Sequence, residues 1–420
     1  MTVKRFLAIV LFATAGFYST CVFVDRGFLV NLLKPEVDFA CYYSAALAAR
    51  WGAPMHNSGP YSILEPNVLR DTWKPEDGAH AKPENVYLYP ALLAYVLVPL
   101  TFLPFKTAEI LWNLSCLLAY GIGAWVFIRS MRLTGFQSKV WEISFVFLSM
   151  IWLPFLIAVQ HGQVVPWIFL FLSLSLWAIL TERDLLAACA LGLAAGLKLG
   201  PVVYVAWLLV LRRFRAAGMA LVVFLILLCV GPTHNVRLFR WVLPHVRLGS
   251  TLESNQCLNG VLCRAASENR ERWITPEGLT EIRGAMCLAA GLGAIAMFFV
   301  FFVTFRAGGK PETLLASFSL VALTLAVFSP LSRVTEYTYA LFAMGYVGKR
   351  WLESGRLGRI ALGVPAGVAF GLAVLDFGGI LHRFLEMPWT GWVSVNATFL
   401  WGMILWAVLA ADFLKPHNAS

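Results

Sequence analysis

Residues Leu185 to Leu211 read LLAACALGLAAGLKLGPVVYVAWLLVL, an apolar run interrupted by one charge, Lys198, and by Gly200-Pro201. Taken as one crossing of a bilayer, this run puts the charges that follow it on the wrong side; taken as a hairpin broken near Gly200-Pro201, it makes the chain self-consistent. The argument is topological, because Lys and Arg gather in the cytoplasmic loops of membrane proteins. Lys4 and Arg5 precede an apolar run that continues to Val24, which reads as a retained signal-anchor helix with its amino terminus inside. The short linkers that must also lie inside carry Arg129, Arg132 and Lys139, then Arg212, Arg213 and Arg215, then Arg306 and Lys310, then Lys349, Arg350, Arg356 and Arg359. All four groups agree when 185–211 is a hairpin and when 87–104, with Pro99 and Pro104, dips into the membrane or lies along it instead of crossing.

Composition sets the same frame. Of 420 residues, 59% are hydrophobic and 13% charged, against roughly 25% charged in soluble domains. That excludes a disordered chain, a disulfide-stapled mini-protein and a water-soluble globule. Apolar runs recur at 107–128, 140–159, 164–181, 216–232, 285–305, 313–328, 335–348, 358–380 and 391–413. The expected fold is an all-α polytopic membrane bundle, one membrane domain over 1–420, with about twelve transmembrane helices and both termini cytoplasmic. The 33 basic and 23 acidic residues leave a net charge of +10. Between apolar runs this charge serves topology and attracts phosphate or anionic membrane lipid; it does not indicate nucleic acid. Eight cysteines form no CxxC pair and no zinc-type cluster, so no metal is expected. Cys257 and Cys263 share a polar loop and could pair in an oxidising compartment.

Two long polar connections, 25–86 and 233–284, are expected outside, and the unusual polar motifs lie on that side. In the first, Phe39, Tyr42, Tyr43 and Ala46 recur at helical spacing, which predicts an amphipathic juxtamembrane helix on the outer surface with Asp38 near its start. Asp38 is either its cap or a functional carboxylate. Tyr89-Pro90 opens the short segment 87–104, whose aromatic-proline entry reads as interfacial. Gln160-His161-Gly162-Gln163 is a loop of amides and an imidazole suited to sugar hydroxyls, or a solvated turn. Lys198, at the tip of the hairpin, costs about 2.5–3.5 kcal/mol within a membrane unless it finds water or a partner. The second outer loop adds Asn255, Gln256 and Arg264, and Ser329-Pro330-Leu331-Ser332-Arg333 ends one span just before Glu336. Lys198, Arg264 and Arg333 would put three cations on one side, enough to clamp a lipid phosphate.

In this order the segments resemble glycosyltransferase family 87, of the GT-C class that uses polyprenyl-phosphate sugars. The resemblance runs from about residue 5 to 350. It is carried by Asp38-Phe39 with Tyr42-Tyr43, Tyr89-Pro90 with Pro99 and Pro104, Gln160 to Gln163, Gly196-Leu197-Lys198, Asn255-Gln256, and Ser329-Pro330-x-Ser332. Members often carry His shortly after the last motif, where this chain has Arg333, Thr335 and Glu336.

The resemblance implies transfer of a sugar, most often mannose, from a polyprenyl phosphate to a hydroxyl of a lipid-linked or glycan acceptor outside the membrane, with inversion. Arabinofuranose is the runner-up donor. The family pattern puts the catalytic carboxylate at Asp38. The donor phosphate would then meet Lys198, Arg264 and Arg333, and the substrates Tyr42, Tyr43, Tyr89, Gln160, His161 and Gln163. Asn255, Gln256 and Glu336 complete the expected contacts. The chemistry needs no cofactor beyond the donor lipid, and a bacterial cytoplasmic membrane is the expected location. A transporter or flippase for a lipid-linked sugar is the rival of another class; it would show charges at the midplane and a repeated half, and the sequence carries no internal repeat.

Overall fold

The computed structural model describes residues 37–55, 87–132, 136–243, 255–267, 279–354 and 396–414, with a few isolated positions besides. The expected signal-anchor run and most of the 25–86 connection lie outside the described residues.

Every regular element among the described residues is helical. Helix α1 (Val37–Arg50) is followed by α2 (Ala91–Leu97), which tightens into a 3₁₀ turn at Val98–Phe102, and then by α3 (Phe105–Ser130). Pro99 and Pro104 cause this segmentation, since proline lacks the N–H that would continue a helix. Ala91–Phe102 is too short to cross a bilayer upright, which suits the non-crossing role expected of it. Next come α4 (Phe136–Met150) and α5 (Leu153–Gln160), bent by 41° at their junction, where Pro154 opens the second. The chain continues through α6 (Val165–Leu180), α7 (Asp184–Leu197), a 3₁₀ turn at Gly200–Val202, α8 (Val203–Val210) and α9 (Phe214–Leu228). After α10 (Pro232–Arg237) and α11 (Leu258–Ala266), the second half holds α12 (Leu279–Ala307) and α13 (Pro311–Phe328). A 3₁₀ turn at Val334–Tyr339, α14 (Ala340–Glu353) and α15 (Ala397–Leu414) complete it.

The run that decides the topology does reverse. A Cβ placed on Gly192 would lie 2.5 Å from Val223 Cγ1, and one on Gly196 would lie 2.9 Å from Leu227 Cδ1. At the far end, Arg213 Nη1 sits 3.1 Å from Asp184 Oδ1. These three pairs rise together along α7 and α9, so the two helices run parallel and α8 must descend between them. Small residues permit the close α7–α9 approach, as in membrane bundles generally.

Gln163 and Lys198 lie at one end of the α6–α7 pair and several arginines lie at the other. Gln163 precedes α6 and Lys198 follows α7, whereas Arg132 donates to the carbonyl of Leu180 at the other end of α6 (2.7 Å). Arg212 stacks on Phe305 near the end of α12, beside Arg306. Apolar faces are left uncovered around the middle. On α3, Leu111, Leu114, Leu118, Ile122 and Trp125 form an exposed stripe at spacings of three and four, and α12 exposes Leu288, Leu292, Ile295, Phe298, Phe302 and Phe305. Uncovered apolar stripes of this extent suit contact with lipid.

One expectation is not shown and another needs correction. The described residues contain four helices long and apolar enough to span a membrane, or up to six when each bent pair is one span. The expected number, about twelve, is not shown by them: glycine and proline breaks divide several runs into pieces shorter than a crossing, and other expected runs lie outside the described residues. Second, α1 does not lie on the surface. Phe39, Tyr42, Ala45 and Ala46 are all fully buried. The aromatic positions predicted one buried face, but alanines at 40, 45, 46 and 48 give the opposite flank a smooth surface that packs as well.

Candidate active site

The site is built on α1 and on the turn before α6. Asp38 lies in the first turn of α1, and Gln163 Nε2 donates to its Oδ2 at 2.5 Å. The Gln163 amide cannot be reversed without loss, because its Oε1 accepts from Tyr42 OH (3.2 Å) and from Tyr89 OH (3.1 Å). Two phenol donors thus fix which end of the amide faces the carboxylate. Arg333 Nη1 stands 3.6 Å from Asp38 Oδ1, and His161 Nδ1 stands 3.7 Å from Oδ2, its ring about half exposed at 48%.

The 160–163 turn is itself held from two sides. Phe39 N–H donates to the carbonyl of His161 at 3.3 Å, and Trp112 Nε1 donates to the carbonyl of Gly162 at 2.7 Å. Gly162 has φ +63°, and a Cβ there would meet Phe39 Cβ at 2.6 Å. Glycine is required on both counts.

Lys198 caps α7 in an extended conformation, and its Nζ pairs with Glu336 while lying 5.6 Å from the centre of the Tyr89 ring. The cost of a lysine in an apolar run is therefore offset by a carboxylate from the other half of the chain. Asp38, Lys198, Arg333 and Glu336 make a cluster with no formal net charge, and all four line one cavity of about 250 Å³. Tyr42, Tyr89 and Gln163 belong to the same wall. The remaining lining is apolar, including Leu172, Tyr204, Ala322, Leu325 and Ala326. Cys41 also lines the cavity, but burial, and then the Asp38 charge, push its thiol up to about 12. It stays protonated and is no nucleophile. Among the described residues no group of three or more His, Cys, Asp or Glu side chains converges as a metal site requires.

The other expected residues stand elsewhere. Arg264 is 5% exposed and does not line the cavity; its Nη1 donates to Asn255 O at 2.8 Å and its Nη2 to Asn396 Oδ1 at 2.6 Å. The expected three-cation clamp is therefore two cations at the cavity and one behind it. Asn255 and Gln256 also support the 329–333 segment: Asn255 Oδ1 accepts from Ser332 N–H (3.1 Å), and Gln256 N–H donates to Ser332 O (2.6 Å). Cys257 and Cys263 are separate thiols, turned toward Asn255 Oδ1 and Asn259 Oδ1. Tyr43 OH donates to Leu103 O at 2.9 Å, tying α1 to the 3₁₀ turn after α2, and Gln160 ends α5 half-buried.

Three contributors escape a reading of the sequence. His234 Nε2 meets Tyr89 O at 3.0 Å, and Asn235 Oδ1 accepts from Ala91 N–H at 2.9 Å, so α10 pins the Tyr89-Pro90-Ala91 entry. Tyr339 lines the cavity next to Glu336. The signal for Tyr339 is the spacing Arg333-x-x-Glu336-x-x-Tyr339, which matches a 3₁₀ period; His234 and Asn235 have no comparable signal.

The sequence profile of glycosyltransferase family 87 matches residues 87–330, more than half of the 420-residue chain. The chain belongs to glycosyltransferase family 87. Among relatives of this family 87 chain is the polyprenol-phosphate-mannose-dependent alpha-(1-2)-phosphatidylinositol pentamannoside mannosyltransferase of Mycobacterium tuberculosis, 31% identical over 148 residues. That match spans 33% of this chain and 32% of the relative. The protein of the same description from Mycolicibacterium smegmatis is 28% identical over 314 residues, spanning 72% of this chain and 67% of that one. Among solved structures, ArnT from Cupriavidus metallidurans bound to undecaprenyl phosphate aligns with a TM-score of 0.43 and 14% identity, over 97% of this chain and 77% of that one.

Proposed function

We propose that this family 87 chain transfers a sugar, mannose by preference, from a polyprenyl phosphate to a hydroxyl of a lipid-linked or glycan acceptor, with inversion at the anomeric carbon. The observation that carries the reading is the shared cavity: Asp38, held by a fixed amide, stands beside Arg333 and the Lys198–Glu336 pair, with apolar side chains completing the wall. A sugar linked through phosphate to an isoprenoid presents the same sequence of chemistries. Both pentamannoside mannosyltransferase relatives are described as dependent on polyprenol-phosphate-mannose, which supports that donor class.

In the step we propose, the acceptor oxygen bonds to the anomeric carbon as that carbon's bond to the phosphate oxygen breaks. The acceptor proton passes to Asp38, and polyprenyl phosphate departs. Such base assistance contributes typically 10²- to 10⁴-fold. The leaving phosphate gains negative charge, so Lys198 and Arg333 stabilise the transition state more than the ground state. Arg264 acts behind them by holding the 255 and 329–333 segments. The topology we propose has about twelve crossings, with both termini cytoplasmic, in a bacterial cytoplasmic membrane. The segregation of Arg132, Arg212 and Arg306 from the cavity supports a cavity that opens outward.

Asp38→Asn tests the assignment. Expressed in membrane vesicles, the variant accumulates as the native chain does while sugar transfer falls by at least about 10²-fold. Transfer at the native rate would remove Asp38 from the mechanism.

A further inference from the structure

The 3₁₀ turn Val334–Tyr339 carries more of the site than its motif shows. At three residues per turn, side chains three apart eclipse one another. Arg333, Glu336 and Tyr339 therefore stack on one face, and all three line the cavity. Arg333 faces Asp38, and Glu336 holds Lys198. Tyr339 is the third step of the ladder, 6% exposed, and its hydroxyl has no hydrogen-bond partner among the described residues.

The other cavity tyrosines are different. Tyr42 and Tyr89 donate to Gln163, Tyr87 donates to Pro90 O at 3.0 Å, and Tyr204 donates to Phe318 O at 3.1 Å. Among the described residues Tyr339 is the one cavity tyrosine with a buried, unused donor. Ser332, Thr335 and Thr338 on the same stretch also carry unpartnered hydroxyls, but they do not line the cavity. A buried hydroxyl left without a partner is unfavourable, and of these four Tyr339 is the one placed where a ligand in the cavity could supply the acceptor.

We infer that the Tyr339 hydroxyl donates a hydrogen bond to a non-bridging oxygen of the polyprenyl phosphate, making it a substrate-binding residue for the leaving group. This rests on the donor class proposed above. Position selects the phosphate over the sugar. Asp38 marks where the acceptor attacks, and along the ladder Arg333 comes first, the Glu336–Lys198 pair second and Tyr339 last. The end of the ladder away from the base is where the phosphate and its chain must lie in an in-line displacement. A neutral donor there adds to the two cations without another charge to desolvate.

Tyr339→Phe deletes the hydroxyl and keeps the ring. Binding of undecaprenyl phosphate, of undecaprenol and of polyprenyl-phosphate mannose is measured on the purified full chain in detergent, together with thermal stability. The inference predicts roughly 10-fold or greater loss of affinity for undecaprenyl phosphate, as expected for a hydrogen bond to a charged group. It also predicts unchanged affinity for undecaprenol and a melting temperature that does not fall. Equal affinity of native and variant chains for undecaprenyl phosphate would overturn it. Loss confined to the mannosylated donor would also overturn it, by moving the contact to the sugar. Failure of the native chain to bind undecaprenyl phosphate would instead refute the donor class itself, and the inference with it.

Discussion

Gln163 links Asp38 to its surroundings through an amide whose two ends have different jobs. Its oxygen collects the hydroxyls of Tyr42 and Tyr89, which leaves its nitrogen to hold Asp38. Gln163→Leu would strand the buried Tyr42 hydroxyl and the half-buried Tyr89 hydroxyl and free the carboxylate to rotate toward Arg333. Because Gln163 touches Asp38, the base we propose, and neither cation, the loss should fall on kcat, by about 10- to 100-fold, with KM for the donor changed little. Steady-state kinetics against donor concentration checks this; a rise in KM at constant kcat would place Gln163 in donor binding. The residue types at this site were legible in the sequence: a carboxylate, a glutamine turn, a lysine inside an apolar run and an arginine after Ser-Pro-x-Ser. Their pairing was not, because Lys198 finds Glu336 and Asp38 finds Arg333 across the whole length of the fold. Arg264 shows the limit from the other direction. Its charge and position fit a phosphate clamp, and burial among backbone and amide acceptors takes it out of the cavity wall.

At the scale of elements, the site depends on one close approach. α1 meets the 160–163 turn through the Phe39–His161 backbone bond, where Gly162 combines φ +63° with a 2.6 Å limit to any Cβ. Gly162→Ala must push α1 away from the turn, carrying Asp38 with it. Misplacement of a reacting group by an ångström costs about 10²-fold, so turnover should fall by that order while the helices, far from the substitution, keep their packing. Measured turnover together with circular dichroism checks this; unaltered turnover would show that the turn does not set the position of Asp38. The sequence announced α1 through its aromatic spacing but misplaced it on the surface, since alanines read as neutral where they pack as a second buried face. The broken hairpin at 185–211 was legible for a firmer reason. Gly200-Pro201 cannot continue a helix, and the charges downstream demand a reversal that the α7–α9 contacts display.

For the molecule as a whole, charge is segregated and apolar surface is uncovered. Arg132, Arg212 and Arg306 gather at the end opposite the cavity, and the stripes on α3 and α12 face outward between the two ends. The class of fold was therefore open to composition and charge alone, whereas the number of crossings was not, because broken helices defeat counting by length. The same arrangement states the central claim, that a polyprenyl-phosphate sugar enters one end of a membrane bundle and gives up its sugar at Asp38. The most direct test is to incubate the purified chain with a panel of polyprenyl-phosphate sugars and a glycolipid acceptor and to follow which donor is consumed. The account predicts consumption of the mannosyl donor with release of polyprenyl phosphate. Consumption of an arabinofuranosyl donor in its place would correct the sugar, and an active, folded chain that consumes none of the panel would contradict the account.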